Sequence, residues 1–160
     1  MTEVTIRPAE PEDAPALDKG LRQLSAGMGD GHLAAPADLL AAGFGAHPAF
    51  HAILAERAGA VIGVVLLSPV FSTVRGAAGV YVSDLWVDAR ARGAGLGARL
   101  LAAARDRAAA LWGARFLRLA VYDDNPRAQT FYRRLGFVPQ PGETILTLDG
   151  AALAALKGEP

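Results

Sequence analysis

The stretch that most restricts the fold of this chain is VDARARGAGLGARLL, residues 87–101. It places three glycines at alternate positions, Gly93, Gly95 and Gly97, directly before a run of residues that favour helices. A strand that enters alternating glycines and then a long helix directs backbone N–H groups and the positive end of the helix at one point. Glycine is needed there because a β-carbon would keep an anion away from the backbone. The stretch therefore predicts an anion site that suits two adjacent phosphates.

Several kinds of phosphate-binding loop compete for these glycines. A P-loop requires a lysine and then a serine or threonine after its last glycine, and the stretch has neither. A dinucleotide-binding fingerprint is formally matched by Gly93, Gly95 and Ala98, with Asp123 after the next predicted strand. That fold needs several strand–helix–strand crossovers, whereas only about 60 residues remain, with one helix long enough for a crossover. A glycine-rich turn without a ligand is the remaining interpretation.

Length and composition indicate one soluble, globular domain over residues 1–160. Sixteen basic residues balance sixteen acidic ones, so the chain has no net field to attract nucleic acid or an anionic membrane. There is no cysteine, which excludes disulfides, thiolate metal sites and a cysteine nucleophile. The N-terminus has no apolar signal-peptide segment, and the longest apolar stretch is too short to span a bilayer. We therefore expect a cytoplasmic protein.

Hydrophobic periodicity, turn residues and helix caps predict an α+β chain. The predicted strands are EVTIRP, AFHAILAER, AVIGVVLLSPVF, GVYVSDLWV, RFLRLAV and ETILTL. The predicted helices are PEDAPALDKGLRQLS, a short one from about Asp38 to Gly43, residues 96–112, NPRAQTFYRRLGF and GAALAAL. This order indicates a mixed sheet with helices on both faces.

Two motifs resemble the GNAT family of N-acetyltransferases. Arg92, Gly95 and Gly97 match the family's Q/R-x-x-G-x-G/A loop, which binds the pyrophosphate of acetyl-coenzyme A. NPRAQTFYRRLGF resembles the family's N-x-x-A-x-x-F-Y-x-x-x-G-F ending. The resemblance covers residues 3–148 and implies the family fold, with a central mixed, mostly antiparallel sheet. The element GFGAHP within residues 38–56 is similar to the diamine and thialysine acetyltransferase branch.

The resemblance implies direct acetyl transfer from acetyl-CoA, without a metal, to a primary amine of a small molecule in a ternary complex. Tyr132 matches the family's general acid, which protonates the departing thiolate. Ser83 stands where the branch has a glutamate that relays the amine's proton, so we expect Asp84 to accept that proton or Ser83 to hold a water. A purely structural role for Asp84 is the alternative.

The same resemblance implies a set of coenzyme A contacts. The backbone around Leu85 and Val87 would hold the thioester carbonyl. The predicted contacts are Leu85, Trp86, Val87, Arg92, Gly93, Ala94, Gly95, Leu96, Gly97, Ala98, Asn125, Ala128 and Tyr132. The amine would lie between residues 25–47 and the strand end at Ser83 and Asp84, where SAGMGDGH supplies only Asp30 and His32.

We expect structural or solvated roles for several other polar and aromatic residues. His47 and His51 lie four apart but with Pro48 between them, so we expect no metal. The indoles of Trp86 and Trp112, and the ring of Phe131, are predicted core, and Arg90 a solvated charge. The resemblance also implies a homodimer. A CoA-binding regulatory domain that has lost the chemistry is the rival interpretation.

Overall fold

The structure is a computed structural model that describes residues 3–158. Its strands are β1 Val4–Pro8, β2 His51–Arg57, β3 Ala60–Ser72, β4 Ala77–Val87 and β5 Leu117–Leu119. Its helices are α1 Ala14–Met28, α2 Pro36–Phe44, α3 Leu96–Trp112, α4 Pro126–Arg134 and α5 Gly150–Ala155, with short 3₁₀ helices at Pro11–Asp13 and Ala89–Ala91. None of the described helices combines the length and apolar character needed to cross a membrane.

The five strands form one sheet in chain order, β1-β2-β3-β4-β5. The first four pair antiparallel, and β5 pairs parallel with β4 after the crossover through α3. The hairpin between β2 and β3 turns at Ala58 and Gly59, both at positive φ (51° and 75°), as a two-residue turn of this hand requires. The predicted mixed, mostly antiparallel sheet is confirmed.

Helices cover both faces of this sheet. On one face α1 lies close to β4, since a β-carbon on Gly20 would come within 2.8 Å of the Trp86 ring. On the other face α3 packs on β3, since a β-carbon on Gly63 would lie 2.8 Å from Leu100 Cδ1. Successive residues of a strand point to opposite faces, so Gly63 and Val64 belong to opposite layers. The α1 layer contains the core cluster of Leu17, Leu21, Leu39, Ala52, Leu54, Val64, Leu66 and Trp86.

The chain divides into two compact units, the first ending at Tyr122 and the second beginning at Asp123. The second unit contains α4 and α5. The predicted strand ETILTL, residues 143–148, is wrong: the segment has no regular structure, and Ile145 and Leu146 are 80% and 88% exposed. Its alternating pattern suits a strand, but no described strand pairs with it, and a strand needs a neighbour for its backbone hydrogen bonds.

Candidate functional site

The end of β4 has an open edge, created by a β-bulge. Leu67 pairs with Val82 and Leu66 pairs with Asp84, so Ser83 is an extra residue with no opposite partner on β3. Beyond the bulge β4 continues to Val87, whereas β5 pairs with β4 only from Val80 to Val82. The two strands therefore separate after the bulge, and none of the described strands lies beside the last part of β4 on that edge.

The bulge also decides which backbone donors face the open edge. Val80 N–H bonds to Phe116 O on the β5 side, whereas Asp88 N–H bonds to Ile62 O on the β3 side. Because N–H groups alternate between the two edges of a strand, those of Leu85 and Val87 point away from β3. These are the amides predicted to hold a thioester carbonyl. The structure places both on the open edge.

The bulge itself was not predicted, although the sequence carries a trace of it. The register places four residues of β4 on the α3 face: Val80, Val82, Leu85 and Val87. Their partners on β3 are every second residue from Gly63 onward, and Gly63 lies on the α3 face. The residues on that face therefore change from even to odd numbers across Ser83 and Asp84. A break of this kind in the period-two pattern is the sequence signal of an inserted residue.

The glycine loop follows β4 directly. Gly93 and Gly95 have φ of 81° and 74°, a left-handed conformation that disfavours side chains. No atom outside the neighbouring residues lies within 4 Å of a β-carbon built on either glycine, so the space beside them is open. Arg92 Nε donates to Val87 O at 3.0 Å and fastens the loop to the end of β4.

The N-terminus of α3 offers a concentrated set of donors. Within residues 3–158, the N–H groups of Gly93, Ala94 and Gly95 have no acceptor. The first N–H groups of α3 are also unpaired, because a helix leaves its first turn without internal acceptors. The first N–H group of the helix that has a backbone acceptor is that of Arg99, which donates to Gly95 O. The donors and the helix dipole fit a pyrophosphate, which supports the predicted site.

Two predicted contact residues cannot contribute their side chains to the site, and the backbone of one of them, Trp86, faces β3 rather than the open edge. The side chains of Trp86 and Leu96 are each 4% exposed and belong to the core. The core position predicted for the Trp86 indole is confirmed. Arg90 is exposed and bonds through its Nε to Asp88 Oδ1 at 3.1 Å, so it is tied to its own turn. Arg92 is exposed as well, and among the described residues only its Nε makes a hydrogen bond.

Ser83 and Asp84 lie at the bulge itself. Asp84 is half-buried and opposite Leu66, which places it on the sheet face covered by α1. Ser83 is exposed. Among the residues that the structure describes, neither side chain has a hydrogen-bond partner, so neither is committed to a structural bond. The structure thus brings both polar side chains beside the amides of the open edge.

The predicted residues of the second unit lie on α4. Asn125 caps this helix, accepting from Ala128 N–H at 3.1 Å, as predicted. Tyr132 is half-buried, with its ring centroid 5.1 Å from that of Phe131 and 5.4 Å from that of Phe137. Burial raises the pKa of Tyr132 above its ordinary value of 10.0. Its hydroxyl therefore remains protonated at neutral pH and can donate a proton.

One histidine of the predicted pair packs against α3. His51 is in β2, and its ring meets Trp112 of α3 edge-on with centroids 5.2 Å apart. Burial, with a contribution from the nearby Arg107 charge, lowers the pKa of His51 below its ordinary value. His51 therefore packs as a neutral ring. In the described chain, no three histidine or acidic side chains are grouped so that they could bind a metal ion.

Comparisons with known proteins address the family and the fold of this chain. The sequence model of the acetyltransferase (GNAT) family matches residues 20–137. A thialysine N-epsilon-acetyltransferase of Bos taurus is 32% identical over 132 residues, which are 76% of each chain. The V. cholerae integron cassette protein VCH_CASS6 superposes with a TM-score of 0.78 at 22% identity, over 96% of both chains.

A second solved structure has the same fold. The aminoglycoside N-acetyltransferase AAC(6')-Iy, in complex with CoA, superposes with a TM-score of 0.73 at 18% identity, over 94% of this chain and 97% of that one. The family match covers more than half of the chain and includes both sequence motifs. The chain therefore belongs to the GNAT acetyltransferase family and is an acetyl-CoA-dependent N-acetyltransferase.

Proposed function

We propose that this enzyme transfers the acetyl group of acetyl-CoA directly to a primary amine of a small molecule, such as a diamine, an amino acid or a related amine. The observation that carries the proposal is the open edge of β4, where the amides of Leu85 and Val87 face away from β3 next to the glycine loop. A pair of fixed donors beside an anion site suits a thioester whose far end carries a pyrophosphate.

The glycine loop would bind the pyrophosphate of the donor. The hydrogen-bond donors of the protein are the N–H groups of residues 93–98 and the remaining guanidinium hydrogens of Arg92. No acidic residue occurs between Asp88 and Asp106, so the local charge favours an anion. In this proposal Asn125 and Ala128, together with Tyr132, also contact coenzyme A, as the family motif at residues 125–137 implies.

The chemistry needs a held carbonyl, a neutral amine and a proton for sulfur. Acetyl-CoA supplies the activated acyl carbon and a thiolate leaving group. A primary amine with a pKa of about 10.4 arrives protonated at neutral pH and must first lose that proton. Asp84, or a water held by Ser83, accepts the proton. Leu85 and Val87 N–H stabilise the charge that develops on the carbonyl oxygen.

Attack by the amine and departure of the thiolate complete the acetyl transfer. The amine nitrogen bonds to the acyl carbon and the carbon–sulfur bond breaks. Tyr132 donates its hydroxyl proton to the leaving sulfur, the attacking nitrogen loses its second proton as the amide forms, and that proton restores Tyr132 through solvent. Because its pKa lies above its ordinary value, the Tyr132 hydroxyl is protonated at neutral pH, as this role requires.

The carboxylates of residues 25–47 support a singly charged acceptor. Asp38 is occupied in capping α2, where its Oδ2 accepts from Ala35 N–H at 2.8 Å. This leaves Asp30, since the region has no other acidic residue. A dication would need closely placed carboxylates, so the side-chain amine of an amino acid is the preferred acceptor. The thialysine acetyltransferase relative supports this class.

An assay of free-thiol release with acetyl-CoA and a panel of amines tests the proposal. The panel includes thialysine, lysine, short diamines and aminoglycosides, with each product identified by mass. Turnover with at least one small primary amine is expected. Binding of acetyl-CoA without turnover of any amine would favour a regulatory CoA-binding domain. Competition by NADH against acetyl-CoA would instead favour a dinucleotide-binding protein.

Replacing Tyr132 with phenylalanine tests the acid. We expect kcat to fall by about a hundredfold or more, because general acid catalysis commonly contributes that much. Phe131→Leu, which alters the adjacent ring without touching the hydroxyl, is the matched control. A Tyr132→Phe enzyme within about twofold of the parent would remove Tyr132 from the mechanism.

We also propose a domain organisation, an oligomeric state and a cellular location for this enzyme. We expect residues 1–160 to work as one acetyltransferase domain, supported by a family match that extends from residue 20 to residue 137. We expect a homodimer from the family resemblance and no nucleic-acid partner from the balanced charge, and a cytoplasmic location stays a prediction. Light scattering after size-exclusion chromatography measures the oligomeric state directly.

A further inference from the structure

The one buried charged side chain in the described part of the molecule is Asp18 of α1, which is 8% exposed. A buried carboxylate is costly unless hydrogen bonds replace its hydration. His32 Nε2 lies 3.0 Å from Asp18 Oδ1, and Arg22 Nη2 donates to both Asp18 oxygens at 3.2 and 3.3 Å. Burial alone would raise the pKa of Asp18, but these hydrogen bonds outweigh burial and lower it. Asp18 is therefore ionised at neutral pH.

The partners of Asp18 attach the segment after α1, residues 29–35, to the helix. His32 belongs to this segment, and its second ring nitrogen, Nδ1, lies 3.2 Å from Ser25 Oγ. Arg22 Nη2 also donates to the carbonyl oxygen of Ala34 at 3.2 Å. We call Asp18, Arg22 and His32 the clasp. The segment contains Gly29 and Gly31, so without the clasp its backbone would be free to take many conformations.

Ser25, His32 and Asp18 are hydrogen-bonded in the same order as the residues of a serine–histidine–aspartate catalytic triad. The position of Ser25 in the helix, however, excludes nucleophilic catalysis. Ser25 lies in the last turn of α1, and its own carbonyl oxygen accepts from Asp30 N–H. The carbonyl end of a helix carries partial negative charge and would repel a developing oxyanion. The cluster is therefore suited to holding the segment in place.

The segment reaches the gap between β4 and β5. Asp30 Oδ2 accepts a hydrogen bond from Tyr122 Oη at 2.9 Å, and Tyr122 follows β5 by three residues. At its other end the segment leaves α1, which packs on β4 through Gly20 and Trp86. It thus extends from the α1 face of β4 to the chain beyond β5. It borders the gap on the face that also carries Asp84.

We propose that the clasp positions residues 29–35 as one rim of the acceptor site, so that the Asp30 carboxylate is fixed where the ammonium group of the amine arrives. This inference rests on the proposed function. Asp18, Arg22 and His32 touch neither substrate and act through the segment that they hold. Loosening the clasp lowers affinity for the amine and leaves affinity for acetyl-CoA unchanged, because the glycine loop lies outside the segment.

Two variants open the clasp, and a third is matched to them. Asp18→Asn removes the charge that His32 and Arg22 share, and His32→Leu removes both of its ring contacts. Asp13→Asn is the control, because Asp13 also accepts from an arginine, Arg7, at 2.7 and 2.9 Å but holds β1 rather than residues 29–35. Steady-state kinetics give KM for each substrate, and hydrogen exchange of the free proteins reports the order of residues 29–35.

The expected result is an amine KM about tenfold higher in both clasp variants, an unchanged KM for acetyl-CoA, and faster exchange at residues 29–35. Asp13→Asn should change none of these. Unchanged exchange in folded clasp variants, or an amine KM that rises equally in the control, overturns the inference. If the parent acetylates no amine, the proposed function fails. The exchange of residues 29–35 then decides by itself whether the clasp orders the segment.

Discussion

Replacing Gly95 with alanine should separate the binding role of the glycine loop from its conformational cost. Gly95 has φ of 74°, and Gly59, in the β2–β3 turn far along the chain, has φ of 75°. Neither position has an atom within 4 Å of an added β-carbon, so no clash contributes at either site. An alanine in the left-handed region costs about 1–2 kcal/mol. Gly59→Ala is therefore a control matched in strain.

The two variants should lose similar stability and differ in binding. At roughly 2–4 °C per kcal/mol for a chain of this size, both should melt about 2–8 °C below the parent. The alanine also shifts the backbone around residue 95 and turns the N–H groups at the start of α3 away from the pyrophosphate. Loss of one charge-assisted hydrogen bond, about 1.5–3 kcal/mol, raises the Kd for CoA by about tenfold or more.

Isothermal titration with CoA and with pantetheine, which lacks the pyrophosphate, measures the difference. Gly95→Ala should bind CoA more weakly but pantetheine as the parent does, and Gly59→Ala should match the parent for both ligands. A Gly95→Ala protein that shows the expected loss of melting temperature but binds CoA within about twofold of the parent would refute the assignment of this loop to the pyrophosphate.

Two further predictions concern stability. Leu100 is 0% exposed and packs from α3 onto Gly63. Leu100→Ala should therefore lower the free energy of unfolding, measured by urea titration, by about 2–5 kcal/mol. A loss below about 1 kcal/mol would contradict this packing. Because the pKa of Asp18 is lowered in the folded state, its contribution is complete above the ordinary value of 3.8 and is lost as pH falls through the lower folded value. The stability difference between the parent and Asp18→Asn should therefore shrink as the pH falls below about pH 4, and a difference that grows over that acidic range would contradict the assigned shift.

Local signals predicted the helices closely. The helix expected over residues 96–112 is α3, and Gly113 ends it in the left-handed conformation with φ of 63°. Asn125 caps α4 as its side chain predicted. Helix ends depend on residues a few positions apart, so the sequence contains the whole signal.

Strands were predicted less well, because their limits depend on distant neighbours. RFLRLAV was predicted as a strand, but only Leu117–Leu119 pair with β4, since β4 turns away at its bulge. ETILTL was predicted as a strand and has no partner in the described chain. A strand pattern shows which residues suit a sheet, whereas the extent of a strand is decided by the backbone beside it.

The sequence by itself determined the glycine loop, the helices and the family, because each depends on residue types at short spacing. Only the tertiary structure decided how the site is completed. The bulge at Ser83 directs the amides of Leu85 and Val87 to the open edge, and it exists only in the pairing of β4 with β3. The bond between Asp18 and His32 joins residues 14 apart, and that between Asp30 and Tyr122 residues 92 apart. Polar side chains at such separations meet only when burial and packing bring their elements together.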